Sequence, residues 1–128
     1  MVGIVIVAHS EKLAEGVVEV AKMMAEDAPI AAAGGMENGE LGTSYDKIKI
    51  AVESVYSDDG IVVLADMGSA VMTAEIVLED LELLNVRILD CPLVEGAILA
   101  AIDSVEGRDL DLITARVESA HSTKKFID

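Results

Sequence analysis

Apolar residues follow two rhythms along this chain, and the rhythms alternate. Residues 2–8, "VGIVIVA", form a run that is short and uniformly apolar, which predicts a strand buried on both faces. The next segment, "SEKLAEGVVEVAKMMAED", changes to a helical spacing, with Leu13, Val17, Val20 or Ala21, and Met24 on one predicted face. Ser10 is placed to cap that helix, and Asp27, Ala28 and Pro29 to end it. Residues 30–33 predict a second, alanine-rich strand, followed by the glycine-rich loop 34–44, "GGMENGELGTS".

The alternation then repeats. Residues 45–56 predict a helix with Ile48, Val52 and Val55 inside, and 61–65, "IVVLA", a third strand after Gly60. The turn Asp66-Met67-Gly68-Ser69 leads into a helix over 70–84, carrying Val71, Ala74, Val77 or Leu78, and Leu81, with Asn85 as its break. A fourth strand is expected at 86–89, with Pro92 just beyond it. Helices follow over 93–105 and 109–120, and the short tail "HSTKKFID" is expected to fray. Strands alternating with helices predict an α/β fold. The expected form is an open, doubly wound, mainly parallel four-stranded sheet of order 2-1-3-4, with helices on both faces.

With 128 residues and no internal repeat, linker or low-complexity stretch, a single domain over 1–128 is expected. The aromatics are few: Tyr45, Tyr56 and Phe126. The core must therefore be aliphatic, which suits covered parallel strands. A formal charge of −15 disfavours nucleic acid and anionic bilayers as partners, and favours a partner with a basic face. Cys91 is the lone cysteine, so no internal disulfide forms. No stretch has the length of a membrane span, and the first residues lack the pattern of a signal peptide. The expectation is a cytoplasmic protein without a membrane partner.

Chemistry concentrates at one edge of the expected sheet. His9 ends the first strand and Asp66 the third, and in a 2-1-3-4 order these strands are neighbours flanking the switch point, where α/β sheets bind ligands. Adjacent strands lie ~4.8 Å apart, within side-chain reach. A carboxylate accepting from Nδ1–H would fix the tautomer and leave the Nε2 lone pair outward as a nucleophile. The helix starts near Ser10 and Ser69 would aim amides at an anion there. Gly35 belongs to the loop at the same edge, Thr43 and Ser44 lead into the second helix, and Gly68 is expected to permit close backbone approach.

No lysine or arginine lies in these loops, Lys12 being the nearest in sequence to His9, so a phosphoryl group on Nε2 would be weakly clamped and easily passed on. Such a site suits a carrier, with neither metal nor cofactor expected. Ser10 also reads as a plain cap, and His121, in the polar tail, reads as non-functional. Cys91 and the methionines read as packing, with Met67 placed to line the site. Glu11, Glu15, Glu19 and Glu26 read as a solvated face.

Three segments together, "IVIVAHSEKLAEGV", "GGMENGELGTSYDKI" and "VVLADMGSAVMTAE", resemble the phosphotransferase subunit of the bacterial dihydroxyacetone kinase that uses phosphoenolpyruvate. That subunit has the mannose-type enzyme IIA fold of the sugar phosphotransferase system. The resemblance covers nearly the whole chain. It implies a homodimer, phosphorylation of His9 by the phosphocarrier protein HPr, and transfer to ADP on the nucleotide-binding subunit of the kinase. The ATP so formed would phosphorylate dihydroxyacetone. It implies that Asp66 orients the histidine, and that Gly35, Thr43, Ser44, Gly68 and Ser69 surround the site. Some members carry further HPr-like and enzyme I-like domains; this chain would depend on separate donors.

Other readings stand beside it. The same histidine chemistry would serve a mannose-type enzyme IIA domain feeding the IIB protein of a sugar transporter, though "LGTS" favours the kinase branch. A receiver-like domain would use Asp66, but would need acidic metal ligands where Ala8-His9-Ser10 stand. A nucleotide-binding module would need a G-x-G-x-x-G or P-loop pattern after the first strand, and neither is present.

Overall fold

In the computed structural model, which describes residues 1–122 and 124–126, the chain folds as strands β1 (Gly3–Ala8), β2 (Ile30–Gly34), β3 (Ile61–Ala65) and β4 (Val86–Leu89). Between and after them come helices α1 (Glu11–Met24), α2 (Tyr45–Val55), α3 (Gly68–Leu81), α4 (Leu93–Val105) and α5 (Leu110–Glu118). The strands form one parallel sheet, as the alternation predicts, and its order is the expected β2-β1-β3-β4. Val7 pairs with Ala65 and Ala8 with Gly34, so three strands end level at one edge.

Alternation along β1 divides the core. Ile4, Ile6 and Ala8 pack on one face with Ala14, Val17 and Ala21 of α1, the alanines of α4, and Ile113 and Val117 of α5. Val5 and Val7 pack on the other face with Ile48, Ala51 and Val52 of α2 and Ala70, Ala74 and Val77 of α3. All six residues of β1 are buried, which explains its lack of polar alternation.

Several boundaries and faces differ from expectation. In α1, Val17 and Ala21 face inward, but Leu13 and Met24 are 42% and 57% exposed, and Ala14 takes the inner position. The cause is close packing: a Cβ built on Gly34 would stand only 2.6 Å from the Ala14 Cβ, so only a small side chain fits where α1 crosses the end of β2. Helix α3 starts at Gly68 rather than Ala70, and stops at Leu81 because Glu82 turns left-handed (φ 53°). Its inner face is Ala70, Ala74, Val77 and Leu78, with Val71 and Leu81 half-buried.

Asp109 is the cap of α5 rather than its first residue, its Oδ1 accepting from Leu112 N–H at 2.9 Å. The chain then makes a 3-10 turn over Ser119–Ser122. Of the tail expected to fray, Thr123, Ile127 and Asp128 lie outside the described residues; His121 meets Asp90 at 3.2 Å and Lys125 meets Glu95 at 2.7 Å. Among the described residues no helix is long and apolar enough to cross a membrane.

Candidate active site

The level strand ends decide what meets at the sheet edge. Because Val7 and Ala65 are partners, His9 and Asp66 emerge side by side into the loops above β1 and β3. Asp66 continues the ladder by donating its N–H to Val7 O at 3.1 Å. Its carboxylate then grips His9 twice. Oδ2 accepts the His9 backbone N–H at 2.9 Å, and Oδ1 accepts from Nδ1 at 3.0 Å. Only 10% of the Asp66 side chain and 25% of the His9 side chain is exposed. Partial burial strengthens the pair, and the backbone bond fixes the carboxylate where the ring must meet it.

A carboxylate on Nδ1 assigns the proton to that nitrogen and leaves Nε2 unprotonated. Ser69 Oγ lies 2.7 Å from Nε2 and donates to it. Ser69 occupies the first turn of α3, whose N-cap, Met67, supplies no side-chain bond. The first amides of this helix are therefore available to an anion near Nε2. Met67 is exposed beside them. The arrangement presents one oriented nitrogen nucleophile, one hydroxyl and a helix start.

The other expected site residues are at the same edge in different employment. Ser10 caps α1, its Oγ accepting from Leu13 N–H at 3.1 Å. Ser44 is buried, caps α2 through Lys47 N–H at 3.1 Å, and donates its own proton to Glu37. That bond holds the Glu37 carboxyl below the usual carboxylate range, assisted by a backbone bond. Gly35 stands at φ +69°, where glycine is favoured, and donates its N–H to Ala8 O at 3.1 Å. Gly42 N–H reaches His9 O at 2.8 Å, so the glycine-rich loop is tied to the histidine itself. Thr43 Oγ1 lies 3.1 Å from Thr73 Oγ1. A Cβ on Gly68 would meet nothing in the chain within 4 Å.

Two nearby residues escaped the sequence reading. Lys47 Nζ donates to Gly34 O at 2.5 Å and stands 3.7 Å from Glu11 Oε2, so a cation does reach the rim. The signal was its position three residues after the cap Ser44. For Thr73 the comparable signal was its position four residues after Ser69. On the far side of Asp66 a cavity of ≈ 470 Å³ opens, lined by Met67, Val71, Glu75, Ile88 and Cys91 among others. Burial, aided by Asp90 and Glu118, pushes the Cys91 thiol up to about 11, which makes it a poor nucleophile at neutral pH. Among the described residues no group of three or more His, Cys, Asp and Glu side chains is placed to hold a metal ion.

The profile of the EIIA-man family, described as PTS system fructose IIA component, matches residues 3–114. A protein of Escherichia coli K12 named "PEP-dependent dihydroxyacetone kinase, phosphoryl donor subunit DhaM" is 40% identical over 88% of this chain. The matched part is 25% of that relative's length, so this chain spans about a quarter of it. A Listeria innocua protein, "PEP-dependent dihydroxyacetone kinase 2, phosphoryl donor subunit DhaM", is 36% identical over 94% of this chain and 100% of its own length. Among solved structures, "unknown function protein EF1359" is 29% identical, with a TM-score of 0.80 over the full length of both chains. The mannose/sorbose specific IIA subunit from Enterococcus faecalis shares the fold, with a TM-score of 0.64 at 20% identity over 99% of this chain and 95% of its own.

Proposed function

The chain belongs to the EIIA-man family of phosphotransferase-system IIA components and groups there with the DhaM phosphoryl donor subunits, and from that premise we propose that it is a phosphoryl carrier working through His9. The carrying observation is the oriented ring: Nδ1 on Asp66, Nε2 outward on Ser69. The donor is HPr, and the acceptor is ADP on the nucleotide-binding subunit of dihydroxyacetone kinase. The proposed unit is one phosphocarrier domain over 1–128, cytoplasmic and homodimeric. The charge of −15 suits partners with basic faces and not nucleic acid.

Each step follows from the residues in place. The Nε2 lone pair attacks the donor's phosphorus; the new N–P bond forms as the donor's P–N bond breaks, and that electron pair returns to the donor. Nδ1 keeps its proton throughout, and Asp66 balances the positive charge that grows on the ring. Ser69 Oγ and the first amides of α3 are placed to bond the phosphoryl oxygens. In the second step an ADP oxygen attacks, the N–P bond breaks, its electrons return to Nε2, and ATP leaves. Positioning supplies most of the catalysis in such transfers, and little covalent help is required. Ser10 and Ser44 serve this site as the caps that hold α1 and α2, and Gly35, Thr43, Met67 and Gly68 as its rim.

The test starts from phosphoenolpyruvate, enzyme I and HPr, with intact-mass detection. One acid-labile phosphate is expected on the wild-type chain and none on His9→Ala, which keeps its fold. Adding the kinase's nucleotide-binding subunit with ADP should discharge the phosphate and form ATP. Phosphorylation without discharge would point instead to a sugar-transport IIA domain or to another acceptor. Label on His9→Ala would remove His9 from the mechanism.

A further inference from the structure

Four hydrogen bonds around His9 form a closed circuit. Thr73 Oγ1 has one proton and two oxygens in reach: Ser69 O at 3.3 Å and Thr43 Oγ1 at 3.1 Å. A carbonyl only accepts, so the Thr73 proton goes to Ser69 O and Thr43 gives its own proton to Thr73 Oγ1. Ser69 Oγ donates to His9 Nε2, and the residue before Thr43, Gly42, donates its N–H to His9 O. The path runs from the His9 backbone through Gly42 and Thr43 to Thr73, then through Ser69 back to the His9 ring. A threonine bonding the carbonyl four residues earlier is ordinary in helices. The Thr43 contact and the return to His9 distinguish this one.

We propose that Thr73 is a positioning residue for phosphoryl transfer, holding Ser69 against Nε2 through a hydrogen-bonded ring that the 34–44 loop closes. The proposal rests on the reading of His9 as the phosphoryl acceptor. Asp66 fixes the Nδ1 side of the imidazole; this ring fixes the Nε2 side. When the N–P bond forms, the Nε2 lone pair is consumed and the Ser69 hydroxyl must turn to a phosphoryl oxygen. Its backbone stays in place for that turn because Thr73 holds the Ser69 carbonyl. Thr73 itself touches neither the ring nor the phosphoryl group.

The test uses the full chain with Thr73→Val, which keeps the shape and loses the hydroxyl, and Thr73→Ser, which keeps the hydroxyl. Thr43→Val breaks the ring from the other side and covers the case of a misfolded Thr73→Val. Two readouts are taken: the His9 ring ¹⁵N spectrum of the unphosphorylated protein, and kcat and KM with phosphorylated HPr. Thr73→Val is expected to move the Nε2 resonance and to lower kcat about tenfold, one hydrogen bond's worth, with KM changed less than about twofold. Thr73→Ser should restore both. The double variant Ser69→Ala/Thr73→Val should be no slower than Ser69→Ala alone, because Thr73 acts through Ser69.

A Thr73→Val protein with wild-type kcat and an unmoved resonance would overturn the proposal. So would a loss that Thr73→Ser fails to restore, or additive losses in the double variant. If the wild type takes no phosphate from HPr, the carrier reading fails instead, and the ¹⁵N arm alone decides whether the ring exists.

Discussion

Two aspartates sit at opposite ends of this sheet, and their partners set their different uses. Asp66, at the C-terminal edge, meets a histidine whose other nitrogen faces outward. Asp103 lies at the far end, where its neighbour Ser104 donates to Val2 O at 2.6 Å, and it is wholly buried. Arg108 binds its Oδ1 at 3.1 Å and Arg116 its Oδ2 at 2.8 Å. The hydrogen bond to Asp103, then its charge, raises Arg116 above its ordinary value. Guanidinium groups do not lose their protons in proteins, so that end offers no atom that can take up a group and pass it on. Imidazole can gain a substituent and lose it again, so the other end can carry a group. One acid serves the fold; the other, on the proposed reading of His9, orients a reagent.

The sharpest way to break this contrast is Asp66→Asn. An amide NH₂ would face Nδ1 in place of an acceptor, and the ring proton would shift to Nε2, blocking the lone pair. Phosphorylation of His9 is expected to fall about a hundredfold or more, the scale of a lost proton-handling role. The urea midpoint should stay near that of the wild type. A normal rate would remove Asp66 from the mechanism.

Asp103→Ala should do the reverse. It strips a buried anion from two arginines that are 31% and 44% exposed and can turn to water, so the cost falls at the lower end for a broken buried pair, about 3 kcal/mol. Urea unfolding measures it, and transfer from HPr at low temperature should be unchanged. A large rate loss in a folded Asp103→Ala protein would show that the two ends are coupled.

The same contrast separates two glycines that sequence alone made look alike. A Cβ on Gly34 would stand 2.4 Å from Ser10 O and 2.6 Å from the Ala14 Cβ, so Gly34→Ala must push α1 off the strand ends and cost about 2 kcal/mol. Gly68→Ala meets nothing in the chain within 4 Å and should change stability by less than about 0.5 kcal/mol. Thermal melts of the pair test this; equal losses would show that the space around Gly68 is filled in solution.

These cases also show what a sequence can and cannot disclose. Alternation disclosed a parallel sheet; the 2-1-3-4 order was the expected form of such a sheet rather than a consequence of the pattern, and the pairing of His9 with Asp66 rested on that order. β3, β4 and α4 begin and end where their patterns say. The inner face of α1 was legible at Val17 and Ala21 but not at Ala14, because a stripe that begins at Leu13 is as regular as one that begins at Ala14. Only the close crossing over Gly34 selects the smaller residue. Thr73 and Lys47 were missed for a related reason. Each lies one helical turn from a residue that was noticed, Ser69 or Ser44, but whether it faces the site depends on how its helix lies on the sheet. Local periodicity does not encode that orientation.

The smallest expected effect concerns the loop that joins the site to α2. Glu37 accepts from Ser44, and this bond first, with a backbone bond second, lowers its folded pKa. A carboxyl with a depressed folded pKa contributes stability that is fully present above the unfolded value of about 4.3 and lost as pH falls through the lower, folded value. Titration from pH 6 downward should leave the loop intact to a lower pH than an unperturbed glutamate would allow. Below it the Ser44 and Lys47 amides should shift together, because protonated Glu37 no longer draws the Ser44 proton and the Ser44 cap loosens. In Glu37→Gln the same amides should sit near the low-pH position at neutral pH, while Asp103 and its arginines stay unmoved. Amides that titrate in the ordinary carboxylate range, or a Glu37→Gln spectrum matching the wild type, would show that the Glu37–Ser44 bond does not hold the loop.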